Sequence, residues 1–420
     1  MSLFDRDLDE IEVSDKHVPL RIALFALAFI LAVTAFAFAV TGLGHKDAGY
    51  YTIAAEPNDA SPLYASGVSL RYYCDGESES IKAILREVEQ VYGSALLESY
   101  RTLNAVALSP TQDNLAALNQ NIGKPVSVSP ALCAVLLDAL EKTEEDRGFN
   151  LFAGPLYAEW TALLYLEHPD EFDPLNDPDE AERLERLAAL AADHSLYSLR
   201  VLDEESCTLQ LDVDERVLQT LEELELDAPI LDLNLLHDAY ELRMVAQKLS
   251  DAGFASGYLS ADSGLSIALP ALREGEYRLY ALTAEGAAPA AAAIARGGTA
   301  ASQFHAFAFE EGDEAFYTVA DAQGQLHLRH PYLLADGQYR EKLLSSLVLD
   351  LGGDAVAACY ENIRLNSFET LRESRDYAAS MSRPALCTAA SADRIVYCNA
   401  AASAISAADS DYGYELEEIT

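Results

Sequence analysis

The longest uninterrupted apolar stretch runs from Ile22 to Gly44 (IALFALAFILAVTAFAFAVTGLG) and carries no charged residue. As a helix it would span roughly 34 Å at about 1.5 Å per residue, the length a bilayer core requires. It is apolar all round, so residues 22–44 are predicted to form a transmembrane helix rather than a surface one. Beyond it the pattern breaks into short periodic segments. Gly67–Cys74 alternates with a period of two and predicts a strand. Ile81, Ile84, Leu85, Val88, Val91 and Tyr92 recur at helical spacing and predict an amphipathic helix. A second helix is predicted over Pro130–Glu141. A third begins behind Asp177, with Pro178 at its first position and Glu180 completing a capping-box-like start. A fourth covers Asp238–Ala252 and is closed by Gly253.

Strands are predicted at Ser195–Leu202, Thr208–Val213, Ser256–Ser260, Tyr277–Thr283 and Ala315–Val319. The Ala- and Gly-rich segment Gly286–Ala301 reads as a loop or a small-residue helix. Asp47–Pro62 is polar and aperiodic and reads as a linker, and the last twenty residues read as a mobile acidic tail. Strands and helices intermix without βαβ regularity, which predicts an α+β fold. The expected layout is an N-terminal segment (1–21), the span (22–44), a linker (45–66), one large domain (67–400) and the tail (401–420).

Charge settles orientation and excludes some partners. Arg6, Lys16 and Arg21 precede the apolar run and only Lys46 follows closely, so the N-terminus is expected inside and the domain outside a bacterial cell membrane. A cleaved signal peptide, with Ala37-Phe38-Ala39 as its cleavage site, is the rival reading. The long acidic segment before the run and the run's length argue against it. The formal net charge of −41 argues against nucleic-acid binding and against docking on anionic lipid. The six cysteines show no CxxC spacing. Cys387 and Cys398 flank a predicted hairpin, where they read either as a cross-strand disulfide or as two buried thiols.

Several ordered landmarks carry chemistry. Asp113-Asn114-Leu115-Ala116-Ala117-Leu118-Asn119 precedes Pro125-Val126-Ser127-Val128-Ser129; Gly148-Phe149-Asn150 precedes Gly154-Pro155-Leu156 and the single tryptophan, Trp160. Leu231-Asp232-Leu233-Asn234-Leu235-Leu236-His237-Asp238-Ala239-Tyr240 follows, then Ser260–Gly264, Ala301–His305, His327–Pro331 and Gly353–Ala358. In this order they resemble the motifs of the ApbE-type flavin transferases (FAD:protein FMN transferases) over roughly residues 67–400.

That resemblance implies an ApbE-like fold and a site for FAD and Mg2+, with FMN passed to a threonine of an extracytoplasmic redox protein. It implies Asp354 as a metal ligand, Asp232, Tyr240, Gly264 and Ser302 as cofactor-binding residues, and His327 as a catalytic residue. The departures are chemical. The family's glycine pair is Asn234-Leu235, its lysine position is Asp238, and its threonine ligand position is Ala358. Glycines let a backbone approach phosphate and a lysine neutralises it, whereas an aspartate repels it. The implied reading is a pseudoenzyme that keeps the fold, binds FAD and Mg2+ weakly or not at all, and serves as a binding or scaffold module. An active Mg-dependent transferase is the alternative, and an unrelated α+β surface protein is a third. His237 and His305 read as ordinary partly buried histidines, and His327 and His330 as a poor metal pair.

Overall fold

The computed structural model describes residues 46–54, 67–145, 148–272, 275–308, 316–334, 343–381, 385–399, 405–406 and 412–419. The apolar run 22–44 lies outside them; among the described residues no helix is long and apolar enough to cross a membrane. The described residues form two compact units, a small one of residues 46–49 and 75–83 and a main one of the rest. Within the small unit the Lys46 amide donates to Ser78 Oγ at 2.8 Å.

The described helices are α1 (Ser78–Leu103), α2 (Leu115–Gln120), α3 (Pro130–Glu145), α4 (Gly154–Leu164), α5 (Pro178–Ala192), α6 (Glu215–Glu223), α7 (His237–Asp251), α8 (Ala355–Ser367) and α9 (Leu371–Ser380). Their starts are written in the sequence. Asp177 caps α5 by accepting from the amides of Asp179 and Glu180, and Thr370 and Glu373 cap each other at α9.

Among the described residues the central sheet has nine strands. From edge to edge they are Gly49–Ile53, Val68–Cys74, Gly257–Ala261, Leu265–Ala268, Ala300–His305, Leu343–Asp350, Ala385–Ser391, Ile395–Asn399 and Glu415–Ile419. The last pair is parallel, and the registers from Val68–Cys74 to Ile395–Asn399 are antiparallel. Period-two alternation then sorts the side chains into two layers. Leu347, Leu349, Leu386, Val396 and Cys398 pack on one face with Leu279, Ala281, Ala290 and Ala293 of the small sheet Gly275–Thr283/Gly286–Ala295/Ile405–Ser406. Leu343, Val348, Cys387, Ala389 and Tyr397 point the other way and pack with Leu365 of α8 and Ala378 of α9. The fold is α+β, as expected.

Three expectations change, and the reading of the two hairpin cysteines is decided for buried thiols. Gly286–Ala295 is a strand, not a loop or helix: alanine's small side chain lets the small sheet lie close on the central one, and that pairing overrides alanine's helix preference. Gly49–Ile53, expected as linker, is an edge strand, with Tyr50 lying 5.2 Å from Tyr73 and the Arg71 guanidinium 5.8 Å from the Tyr50 ring. Glu415–Ile419, expected in the tail, is a strand paired with Ile395–Asn399. Cys398 lies opposite Thr388, one position out of register from Cys387, because Arg394 adds a left-handed residue (φ 60°) to the turn. One position of offset reverses the face, so the two thiols enter different layers and form no disulfide.

Candidate active site

The sequence landmarks converge on the entry into α7. Asn119 clamps Leu231 through both ends of its amide, donating to the Leu231 carbonyl at 2.9 Å and accepting from the Leu231 amide at 2.8 Å. Asn150 accepts from Asn234 on its backbone carbonyl at 3.1 Å, and the Asp232 amide donates to the Leu151 carbonyl at 3.0 Å. Gly154 is required where it stands, because a Cβ there would meet the Pro229 carbonyl oxygen at 2.2 Å. Trp160 donates from Nε1 to the His330 carbonyl at 3.2 Å. These landmark residues are therefore the frame of the site.

Within that frame, Asp232 accepts from the Asn234 amide at 2.8 Å, and the turn Asn234–Leu236 runs directly into α7. Asn234, at the first glycine position of the resemblance, has φ 48°, a left-handed conformation that asparagine tolerates. Leu235 follows, and its carbonyl accepts from Cys359 of α8 at 3.3 Å. Burial pushes the Cys359 thiol up to about 12, which keeps it protonated.

The first turn and a half of α7 then carries His237, Asp238 and Glu241. One donor atom from each lies within 4.8 Å of the other two. His237 Nδ1 is 3.3 Å from Asp238 Oδ1. Glu241 is 1 % exposed; its Oε1 accepts from Ser99 of α1 at 2.9 Å, and its Oε2 is buried without a hydrogen-bond partner. Burial raises the Glu241 and Asp232 carboxyls above their usual range. Burial also disfavours the charges of His237 and Asp238, but their mutual attraction outweighs it, holding the imidazole up and the carboxylate down.

One turn further along α7 is a second polar group. Tyr240 donates its hydroxyl to Asp138 of α3 at 3.0 Å, and Arg243 lies 3.4 Å from Asp138 and 4.0 Å from Asp354 while stacking on the Tyr240 ring. Burial raises the Tyr240 hydroxyl, with the Asp138 carboxylate adding to it. Asp354 is the N-cap of α8 and accepts on Oδ1 from Val356 at 2.9 Å and Ala357 at 3.3 Å.

The sheet supplies the remaining wall. Gly264, at φ +85°, closes the turn before Leu265–Ala268, and a Cβ there would meet the Gln303 carbonyl oxygen at 2.4 Å. Ser302 is buried and receives Asn362 on both Oγ and its carbonyl at 3.1 Å. Asp232 thus stands beside the His237 group, Tyr240 and Asp354 share Arg243, Ser302 lies opposite Leu265, and Gly264 accepts from the amide of the next residue, Gln303. His327 is placed differently. It lies in the two-stranded sheet Tyr317–Ala320/Leu326–Arg329, with Nε2 3.4 Å from Asp321. Its neighbour His330 is the buried histidine on this side, packed on Phe304 and Tyr332, whose hydroxyl donates to the Ser263 carbonyl at 3.1 Å. Burial lowers the His330 imidazole to about 3, so it is neutral.

Sequence reading passed over Glu241, Arg243 and the grouping of His237 with them. The available signal was His237 and Glu241 four apart on a helix, hence on one face.

This architecture is that of the ApbE flavin transferases. No family model and no curated protein sequence matches the chain. Among solved structures it is similar to the ApbE protein from Thermotoga maritima, at a TM-score of 0.55 and 14% identity over 88% of this chain and 100% of that one. It is also similar to the flavin transferase ApbE from Vibrio cholerae, at a TM-score of 0.50 and 13% identity over 82% and 94% of the two chains. The chain is a divergent ApbE-like fold.

Proposed function

We propose that this protein is a membrane-anchored, ApbE-like domain that has lost flavin transfer and acts as an extracytoplasmic binding or scaffold module. The apolar run 22–44 supplies the anchor, and the basic residues before it set the orientation. The observation that carries the loss of transfer is the charge at the head of α7. The lysine position of the resemblance is Asp238, whose carboxyl, despite burial, His237 holds below its usual range, with Glu241 in the same group and Asp232 close by. A pyrophosphate brought there meets carboxylates, and reversing one unit charge at about 5 Å shifts the interaction by a few kcal/mol even at an effective dielectric near 20.

The residues at Asp354 do not fit magnesium either. Its Oδ1 is engaged by two amides of α8, the Arg243 guanidinium supplies a cation 4.0 Å away, and the threonine ligand position is the buried Ala358. Magnesium needs an octahedral set of oxygen donors. Incubating the full chain with FAD and Mg2+ and measuring AMP release tests the reading directly. Release no faster than in protein-free buffer is expected, and turnover lost on Asp354→Ala would restore the transferase reading.

A further inference from the structure

A buried carboxylate is costly unless both oxygens are compensated, and Glu241 compensates one. Ser99 holds Oε1, Oε2 is buried without a hydrogen-bond partner, and a Glu241 carboxylate oxygen lies in one group with donor atoms of His237 and Asp238. A hydrogen bond to one carboxylate oxygen with the other left to a cation is how ligating carboxylates are oriented. His237 and Glu241 are four residues apart and lie on the same helical face. Asp238, next to His237, brings its Oδ1 to 3.3 Å from Nδ1, close to the roughly 3.4 Å separating two donors that each stand about 2.1 Å from one tetrahedral ion. The three donors lie within 4.8 Å of one another, and His237 and Asp238 keep 37% and 27% of their side-chain surface accessible, which leaves them room to adjust to an ion.

From this geometry we propose that His237, Asp238 and Glu241 form a binding site for a divalent transition-metal ion of the zinc class, distinct from the Asp354 position. The donor chemistry selects the ion. One imidazole with two carboxylates suits zinc and its first-row neighbours better than the all-oxygen coordination of magnesium or calcium. Three protein donors leave a coordination position open to water or an oxygen ligand, as in zinc sites that bind exogenous molecules. Ser99 is the positioning residue for Glu241. The inference concerns the same carboxylates whose charge, in the metal-free chain, carries the proposed loss of flavin transfer; its test contains no flavin, so the two readings fail separately.

The test uses the full chain in detergent micelles, stripped with chelator and titrated with Zn2+ alone by calorimetry, with no flavin present. The expected result is saturable binding of a single ion per chain, abolished by Glu241→Gln and by His237→Ala, weakened about tenfold by Ser99→Ala and unchanged by Asp354→Asn. Absence of saturable binding overturns the proposal. So does binding that persists in both ligand variants, or binding that follows Asp354→Asn instead. His237 is partly exposed, so His237→Ala keeps the test decisive if Glu241→Gln does not fold.

Discussion

Two buried carboxylates in this molecule have opposite surroundings. Asp173 is fully buried and fully answered: Arg329 donates to it at 2.8 and 3.4 Å, Tyr317 at 2.9 Å and the Leu175 amide at 2.9 Å. Glu241 is almost as buried, yet one hydroxyl answers one of its oxygens, and its charged neighbours are His237, which attracts it, and Asp238, which repels it. The first arrangement locks the hairpin Tyr317–Ala320/Leu326–Arg329 to the turn after α4. The second costs stability and gains a charged, partly accessible group at the head of a helix. Uncompensated burial of this kind marks sites rather than scaffolding.

The contrast can be broken from either side. Asp173→Ala removes the buried acceptor of Arg329, Tyr317 and the Leu175 amide together and should destabilise by about 3–5 kcal/mol in urea unfolding. A loss below about 1 kcal/mol would remove Asp173 as the scaffold case. Glu241→Gln should act in the opposite direction. In chelated buffer the variant should be about 1–2 kcal/mol more stable than the parent, because a charged group with an unanswered oxygen has been neutralised. A loss as large as that of Asp173→Ala would mean Glu241 is scaffolding too.

A third carboxylate sharpens the scale. Glu180, with a buried, unpartnered Oε1, is raised to about 7, mainly by burial and then by Glu159, against the pull of Arg183. Its folded value is above its unfolded one, so its contribution is fully present below about pH 4.5 and is lost as pH rises through about 7. After allowing for solvent screening, unfolding free energies should fall by on the order of 1 kcal/mol across that window, and Glu180→Gln should flatten the slope. The smallest effect is expected at Arg243. Its ion pairs and its stacking on Tyr240 are partly exposed, so Arg243→Ala should cost about 0.5–1 kcal/mol in thermal or urea unfolding.

Local signals carried much of this architecture. The Asp177 cap, the Gly253 stop and the alternation of Thr208–Val213 each specify an element through neighbours in sequence, and each stands where the pattern places it. The landmarks Asn119, Gly154 and Trp160 were legible as a set because each fixes a backbone position at the site, a demand that a divergent sequence still meets. What escaped depends on distant partners. The alanine-rich segment 287–293 becomes strand through pairing with Gly275–Thr283, and Glu415–Ile419 through pairing with Ile395–Asn399. The single added residue at Arg394, invisible in a symmetric hairpin reading, decides which layer each cysteine enters. At the site, matching residues to a resemblance directs attention to positions the family uses. His237 lies between those positions, and Glu241 and Arg243 lie just beyond the last of them on α7, Tyr240.

The central claim is that the ApbE-like fold persists here around a site whose charge no longer suits a flavin pyrophosphate. The most direct measurement is a titration of the full chain with FAD, followed by flavin fluorescence, with and without Mg2+. The account predicts no saturable, magnesium-dependent change in fluorescence from the folded protein. Micromolar binding that requires Mg2+ and disappears in Asp354→Ala would contradict it.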